Sequence, residues 1–434
     1  MKRYAINDLR TWKKSRHRKP LLVQGARQVG KTWLLREFGR QEYANTAYVN
    51  LAENDEAAAA FEGTLRVDGL VRKLSAAAGE AIQAGETLIV LDEIQASERA
   101  LNALKFFREN APQYHVAAAG SLLGVALNHN HMSFPVGQVD FLDLHPLGFC
   151  EFLEALGEDA LCGYLQHHDW ELMETMRARY TELLRLYLCI GGMPEAVAAF
   201  AEVPDFAAVG RIHRAILQSY ENDFGKYISR KDFANIRAVW GAVPRMLAHE
   251  RKFSYSKVKP GGRGRDFEGS IEWLCRSGLL HRVSRVTKPS LPLAAYGDSA
   301  AFKLYMLDCG LLTTMAGLDA DAVLQGNVLF TEFKGALAEQ YVLQTLKLNG
   351  DLPIAYWATD SNSAEVDFIF SRKGNVIPLE VKAAANLKSK SLQSYRTRFN
   401  PPCAVRASLA GMGEKDALYS VPLYAMEQLM DILP

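Results

Sequence analysis

Eight consecutive residues, Gly25-Ala26-Arg27-Gln28-Val29-Gly30-Lys31-Thr32, carry the spacing of a phosphate-binding loop. Glycine at both ends lets backbone N–H groups wrap around phosphate oxygens, and a following helix directs its positive end at them. In such a loop Lys31 reaches the β- and γ-phosphates of a nucleotide, and the Thr32 hydroxyl binds Mg²⁺. The apolar residues Leu21 to Gln24 before the loop and the helical spacing of Trp33, Leu34, Leu35 and Phe38 after it supply the required strand and helix. A second element completes the chemistry. Leu88-Ile89-Val90-Leu91-Asp92-Glu93 is an apolar strand ending in acid. Asp92 is expected in the Mg²⁺ shell, and Glu93 is expected to polarise the attacking water. Gln95 suits a site residue or a helix cap. Ser121 ends the next apolar run and suits either a γ-phosphate sensor or a simple strand-end hydroxyl.

A second constellation lies near the C-terminus. Glu339 falls on a helix, Asp367 on a strand within Glu365-Val366-Asp367, and Glu380-Val381-Lys382 on the following strand. The order resembles the PD-(D/E)xK nuclease core. There carboxylates converge on Mg²⁺ beside a scissile phosphate, and a lysine stabilises charge. Strand alternation sends Glu380 and Lys382 to one face and Val381 to the other. Asp367 and Glu380 are the expected metal ligands, Lys382 lies alongside, and Glu339 supports them. An acid and a lysine two residues apart also suit a solvated strand face, so both readings stand here. Gln393, Ser394 and Tyr395 on the next helix are further candidates for supporting roles.

Residues 251 to 265 carry Arg251, Lys252, Lys257, Lys259, Arg263 and Arg265 with the aromatics Phe253 and Tyr255. This composition suits phosphate tracking by a winged helix or a solvated charged loop. His129 and His131 spell HNH, but the ββα context of such a nuclease is missing, and a loop is expected.

The elements needed to hold these residues follow from pattern. Up to about residue 145, apolar strands alternate with helices, which predicts a parallel doubly wound sheet with its ligand at the carboxyl ends of the strands. Helices dominate from there to about 250, broken by the Gly191-Gly192-Met193-Pro194-Glu195-Ala196 turn. The division expected is 1–145 for the nucleotide domain, 146–240 for a helical lid or linker, 241–300 for a winged-helix-like domain and 301–434 for the nuclease-like domain. The bulk numbers agree with several folded domains: 434 residues, 49% hydrophobic and 23% charged, with a formal net charge of +1 that selects no partner. Six scattered cysteines form no CxxC pair and predict free thiols in a reducing compartment. A basic N-terminus without an apolar stretch, and apolar runs too short to span a bilayer, predict cytoplasmic residence and no membrane partner.

The segments GARQVGKT, LIVLDEIQ, AGSLLGV, SFPVGQVDFLDLHPLGFCEFL, GGMPEAV and SYENDFGKY resemble AAA+ family ATPases of bacteria and archaea that carry a C-terminal domain of unknown function. The resemblance covers almost the whole chain and implies an α/β fold: an AAA+ parallel sheet, a helical and winged-helix middle, and a C-terminal PD-(D/E)xK nuclease-like domain. It implies ATP and Mg²⁺ as ligands, a homo-oligomeric ring of six or seven, and DNA as partner. Members often carry a basic residue where this chain has Gln138, which removes one candidate for an arginine finger; Arg99 and Arg108 remain by position, and no arginine in cis is evident near the site. Two functions are expected to compete: an ATPase coupled to DNA cleavage, and a regulatory or scaffold ATPase whose C-terminal domain binds nucleic acid or protein without cutting. A toxin-antitoxin or phage-defence role is a third.

Overall fold

The structure is a computed structural model that describes residues 1–63, 65–121, 137–225, 230–250, 252–325, 331–361, 363–383 and 389–434. His129, His131, Lys226 and Arg251 lie outside the described residues. The chain divides into two compact units, residues 2–145 with 276–278, and residue 1 with 146–275 and 279–434.

In the first unit, β1 (Leu21–Gln24), β2 (Asn45–Asn50), β3 (Thr87–Asp92), β4 (His115–Ala119) and β5 (Asp140–Asp143) form one sheet in the order β2-β3-β4-β1-β5. Every pairing is parallel. Such a sheet needs cover on both faces, and the continuous apolar run of β3, buried at each of its residues, fits that demand. Leu22, Val49, Ile89, Leu91, Val116 and Ala118 join Leu101, Leu104 and Phe107 of the helix Glu98–Asn110 in one core. The register brings Gln24, Asn50, Asp92 and Ala119 to the same edge.

In the second unit, helices including Arg177–Ile190, Pro194–Glu202, Phe206–Phe224 and Arg230–His249 precede an eight-stranded sheet. Its strands are β6 (Leu280–Val286), β7 (Gly297–Met306), β8 (Ile354–Ala358), β9 (Glu365–Arg372), β10 (Asn375–Val381), β11 (Ala404–Ser408), β12 (Gly413–Lys415) and β13 (Leu418–Pro422), in the order β12-β13-β11-β10-β9-β8-β6-β7. Within it, the helix Thr331–Lys347, the antiparallel meander β8-β9-β10, the helix Lys390–Phe399 and β11, parallel to β10, follow in sequence. The helices Arg230–His249, Tyr255–Val258 and Gly264–Arg276 lead into the β6-β7 hairpin. The expected boundary at 300/301 falls inside β7, and that at 240/241 falls inside the helix Arg230–His249. The physical reason is the ladder: β6 pairs with β8 as well as with β7, so the hairpin and the C-terminal strands share one sheet.

The GGMP turn is shaped by close approach. The helix Arg177–Ile190 ends at Gly191, with φ 70° and ψ −165°, a conformation that favours glycine. A Cβ there would lie 2.1 Å from Asp308 Oδ1, and one on Gly192 would lie 2.1 Å from Leu147 O. Asp308 is fully buried and accepts from Gly192 N at 2.6 Å and Leu311 N at 2.9 Å. The helix Thr331–Lys347 is clamped by two amides. Gln340 pairs with both N and O of Met306 at 2.8 and 2.7 Å, and Gln344 accepts from Cys309 N at 2.9 Å. Glu427 accepts from the amides of Phe149 and Cys150, the latter at 3.1 Å. Burial pushes its carboxyl up to about 7 from an ordinary 4.5, against the opposing pull of the Cys150 amide.

Gly191→Ala is expected to lower stability by at least about 2 kcal/mol in denaturant unfolding. Gly163→Ala, in a helix where an added Cβ meets nothing within 4 Å, should instead be neutral or stabilising. Glu427 supplies a pH signature. Between pH 4.5 and 7 the folded chain keeps a proton that the unfolded chain has lost, so stability falls as pH rises through that window. The full drop is about 3 kcal/mol. Glu427→Gln should flatten this slope and raise the melting temperature above pH 7.

Candidate functional site

The phosphate loop runs from the end of β1 into the helix Lys31–Glu42. Gly25 has φ 142°, and a Cβ on it would lie 2.3 Å from Leu144 O, so only glycine fits where the loop leaves the strand. Gly30 caps the helix at φ 95°. Ala26 and Val29 are buried, Gln28 is exposed with φ 64°, and Arg27 is half-buried. Lys31 is 8% exposed, and its Nζ donates to Gly25 O at 2.9 Å and Ala26 O at 2.7 Å. Burial draws this ammonium down to about 8, while Glu93 and Asp92 pull it back up. It is therefore charged at neutral pH and held inside the loop.

β4 separates the loop strand β1 from the acidic strand β3. The gap between them is closed by side chains. The Thr32 hydroxyl donates to Asp92 Oδ2 at 2.6 Å, and the Tyr48 hydroxyl donates to the same oxygen at 2.9 Å. The Glu93 backbone N–H donates to Asp92 Oδ1 at 3.0 Å. The guanidinium of Arg36 lies 3.8 Å from the centre of the Tyr48 ring. Glu93, at φ 50°, turns its carboxylate to the Gln95 amide and, at 3.4 Å, the Ser121 hydroxyl. Ser121 is 2% exposed and accepts from Arg27 Nε at 3.2 Å. The structure thus brings together Lys31, Thr32, Asp92, Glu93, Ser121 and Gln95. It also corrects one expectation: Arg27 places a guanidinium in the site in cis. Arg99 is occupied elsewhere, donating to Phe61 O at 2.7 Å. Tyr48 and Arg36 join the site without a sequence signal, because β2 carries no motif of its own and Arg36 lies past the loop in the helix Lys31–Glu42.

The C-terminal constellation also assembles. The β9-β10 register, ending at Leu379↔Phe368, sets Glu380 opposite Asp367 one step on. Asp367 Oδ2 accepts from Val381 N at 2.7 Å. Lys382 Nζ donates to Glu380 Oε1 at 2.6 Å, which places both on one side of the strand. Burial pushes the Asp367 carboxyl well above the usual carboxylate range, with Glu339 and Glu380 adding to it. Glu339 takes part through partners that the sequence did not reveal. Its Oε2 accepts from Tyr305 at 2.7 Å and pairs with Lys303 Nζ at 3.2 Å; the same Nζ lies 2.8 Å from Glu365 Oε1. Lys303 is 7% exposed, and its burial is outweighed by these carboxylates, which hold its ammonium charged. A lysine and tyrosine two residues apart in the apolar run of β7 were the available signal. Among the described residues, no three His, Cys, Asp or Glu side chains are grouped to hold a metal ion. Tyr395 belongs to the core with Trp357 and Phe399, and Gln393 and Ser394 are exposed, so this trio does not serve the cluster. Phe253 and Tyr255 likewise pack inward, Phe253 stacking on Phe302 at 5.4 Å, while Lys252, Lys257, Lys259, Arg263 and Arg265 are exposed.

Residues 17–153 match an AAA domain, residues 181–322 a domain of unknown function (DUF8612) and residues 334–424 a domain of unknown function (DUF4143). No curated protein matches the chain. Among solved structures, the Walker-type ATPase PABY2304 of Pyrococcus abyssi is similar at 13% identity and a TM-score of 0.43, over 72% of this chain and 95% of that one. The Aeropyrum pernix ORC1 protein in complex with DNA gives 15% identity and a TM-score of 0.29, over 73% and 93%. The Thermotoga maritima RuvB Holliday junction branch migration motor gives 13% and 0.29, over 67% and 90%. The loop, the acidic strand end and the AAA match make residues 17–153 an AAA+ P-loop ATPase domain.

Tyr48→Phe tests the geometry around Asp92. Losing one hydrogen bond to a carboxylate should lower ATP turnover roughly fivefold while nucleotide affinity stays within about threefold. Steady-state kinetics and nucleotide titration separate the two effects.

Proposed function

We propose that this chain hydrolyses ATP and couples that turnover to Mg²⁺-dependent cleavage of DNA, branched structures included. At the nucleotide site Lys31 faces the β- and γ-phosphates, Thr32 and Asp92 hold the Mg²⁺ shell, Glu93 orients the attacking water and Ser121 reads the γ-phosphate. The loop backbone from Gly25 to Gly30 cradles the remaining oxygens. Mg²⁺ supplies charge neutralisation on the phosphates when bound. Turnover requires Glu93 to exchange its bonds to Gln95 and Ser121 for the water.

The nuclease reading rests above all on one observation: the Oε2 of Glu380, which is 5% exposed, is buried without a hydrogen-bond partner, beside Asp367 and Lys382. A buried orphan carboxylate oxygen calls for a cation. Two carboxylates suit Mg²⁺, which keeps most of its waters and binds through one or two acids plus substrate phosphate. Metal-bound water is made more acidic, and that is the chemistry such an ion supplies. In the hydrolysis the water oxygen bonds to phosphorus, the bond from phosphorus to the leaving deoxyribose oxygen breaks, and a water proton ends on that oxygen. Lys382 offsets the charge that builds on the phosphoryl oxygens. The order of helix, meander, helix and parallel strand supports a PD-(D/E)xK core, and the three helices with the β6-β7 hairpin support a winged helix whose exposed cations track phosphates. A ring of six or seven subunits rests on the family resemblance, since Arg27 already supplies one cation in cis.

A second reading, an ATPase whose C-terminal domain binds without cutting, is favoured by the ion pairs that lysines make with three of the cluster's carboxylates.

Lys31→Ala should abolish ATP hydrolysis and weaken nucleotide binding. Glu93→Gln should retain ATP and turn it over at least ~100-fold more slowly. Asp367→Ala and Lys382→Ala should each remove cleavage of linear, forked or four-way DNA in Mg²⁺ while ATPase activity stays near parental. Cleavage that survives both substitutions would refute the nuclease assignment; a folded chain that binds these DNAs and cuts none selects the second reading.

A further inference from the structure

The C-terminal cluster gathers four carboxylates, Glu339, Glu365, Asp367 and Glu380, against two ammonium groups, Lys303 and Lys382. Their partners divide them into two sets. Glu339 and Glu365 are both paired with Lys303 Nζ, at 3.2 and 2.8 Å, and Tyr305 adds a 2.7 Å bond to the Glu339 oxygen already paired with the lysine. Asp367 takes the Val381 amide, and Glu380 takes Lys382 on Oε1 while its Oε2 is left buried with no hydrogen-bond partner. The unsatisfied valence is therefore all on the Asp367–Glu380 side.

We propose that Lys303 is a fixed protein cation standing where a second metal ion would otherwise be needed, so that this is a one-cation site with Asp367 and Glu380 as its ligands. The proposal rests on the metal-dependent reading given above and specifies its stoichiometry. Lys303, 7% exposed and paired with two carboxylates, one of them braced by the Tyr305 hydroxyl, is not readily displaced, because moving it would strand a buried charge. Lys303 stands on β7 of the β6-β7 hairpin, so the hairpin contributes a positioning residue to the carboxylate cluster.

The test counts ions. Mn²⁺ is titrated into the nucleotide-free full chain carrying Asp92→Asn, which removes the competing carboxylate of the nucleotide site, and free Mn²⁺ is read by electron paramagnetic resonance. One ion per chain is expected. Asp367→Asn or Glu380→Gln should weaken it by ~100-fold or more, whereas Glu339→Gln, which keeps an acceptor for Lys303 and Tyr305, should leave one ion with affinity within about threefold. Lys303→Met should raise the count to two. Two ions in the parent, loss of the ion in Glu339→Gln, or a folded Lys303→Met chain that still takes one ion would each overturn the proposal. Should Lys303→Met fail to fold, the Glu339→Gln arm decides alone. No ion bound by the parent at millimolar Mn²⁺ would instead overturn the metal-dependent reading itself, and the two failures are thereby distinct.

Discussion

One buried carboxylate organises the larger unit. Asp308 has no exposure to solvent and satisfies the amides of Gly192 and Leu311, with the Gln344 amide at 3.3 Å. These partners belong to the GGMP turn, the helix Cys309–Met315 and the helix Thr331–Lys347. An unpaired charge at such depth would cost several kcal/mol, so the three elements are bound to one arrangement. Gln340, one turn before Gln344, then closes the backbone of β7 at Met306, and Glu339 beside it is delivered to the carboxylate cluster. The glycines of the turn are needed because Asp308 and Leu147 occupy the space where any Cβ would stand.

Both acidic clusters carry carboxylates on strands, and they stabilise them by different means. Asp92 is served by neutral donors, the hydroxyls of Thr32 and Tyr48 and a backbone amide. These can be exchanged for water or a metal ion at modest cost. The cluster around Asp367 is instead held by ammonium groups, and breaking such pairs in a buried place costs more. The first is suited to a ligand that comes and goes with each turnover, the second to a standing arrangement.

What could be read from the residues alone follows the range of the interactions. The phosphate loop is local: eight residues, a strand before and a helix after, so its glycines and Lys31 are legible without any partner. Asp367, Glu380 and Lys382 are legible for the same reason, since strand alternation fixes their faces. Lys303 is not, because its partners Glu339 and Glu365 lie 36 and 62 residues away and only the fold joins them. Tyr48 meets Asp92 across 44 residues. The expected boundary at 300/301 falls inside β7 for a related reason: Gly297 begins a strand whose pairing is decided by β6 and not by local pattern. Phe253 and Tyr255 read as a surface beside cations until Phe302 and Phe267 are seen to receive them.

The unbroken ladder from β7 to β10 has a mechanical consequence. Adjacent strands are spaced at ~4.8 Å by their hydrogen bonds, and β7, β6, β8, β9 and β10 follow one another across the sheet. Such a plate bends and twists, but it does not stretch across its strands without losing backbone bonds. A load applied to the hairpin is therefore passed to the strands bearing Asp367 and Glu380 as a change of curvature, with their spacing conserved. The sheet acts as a stiff gauge, fixing how far Lys303 on β7 stands from the acids of β9 and β10 however the surrounding helices shift.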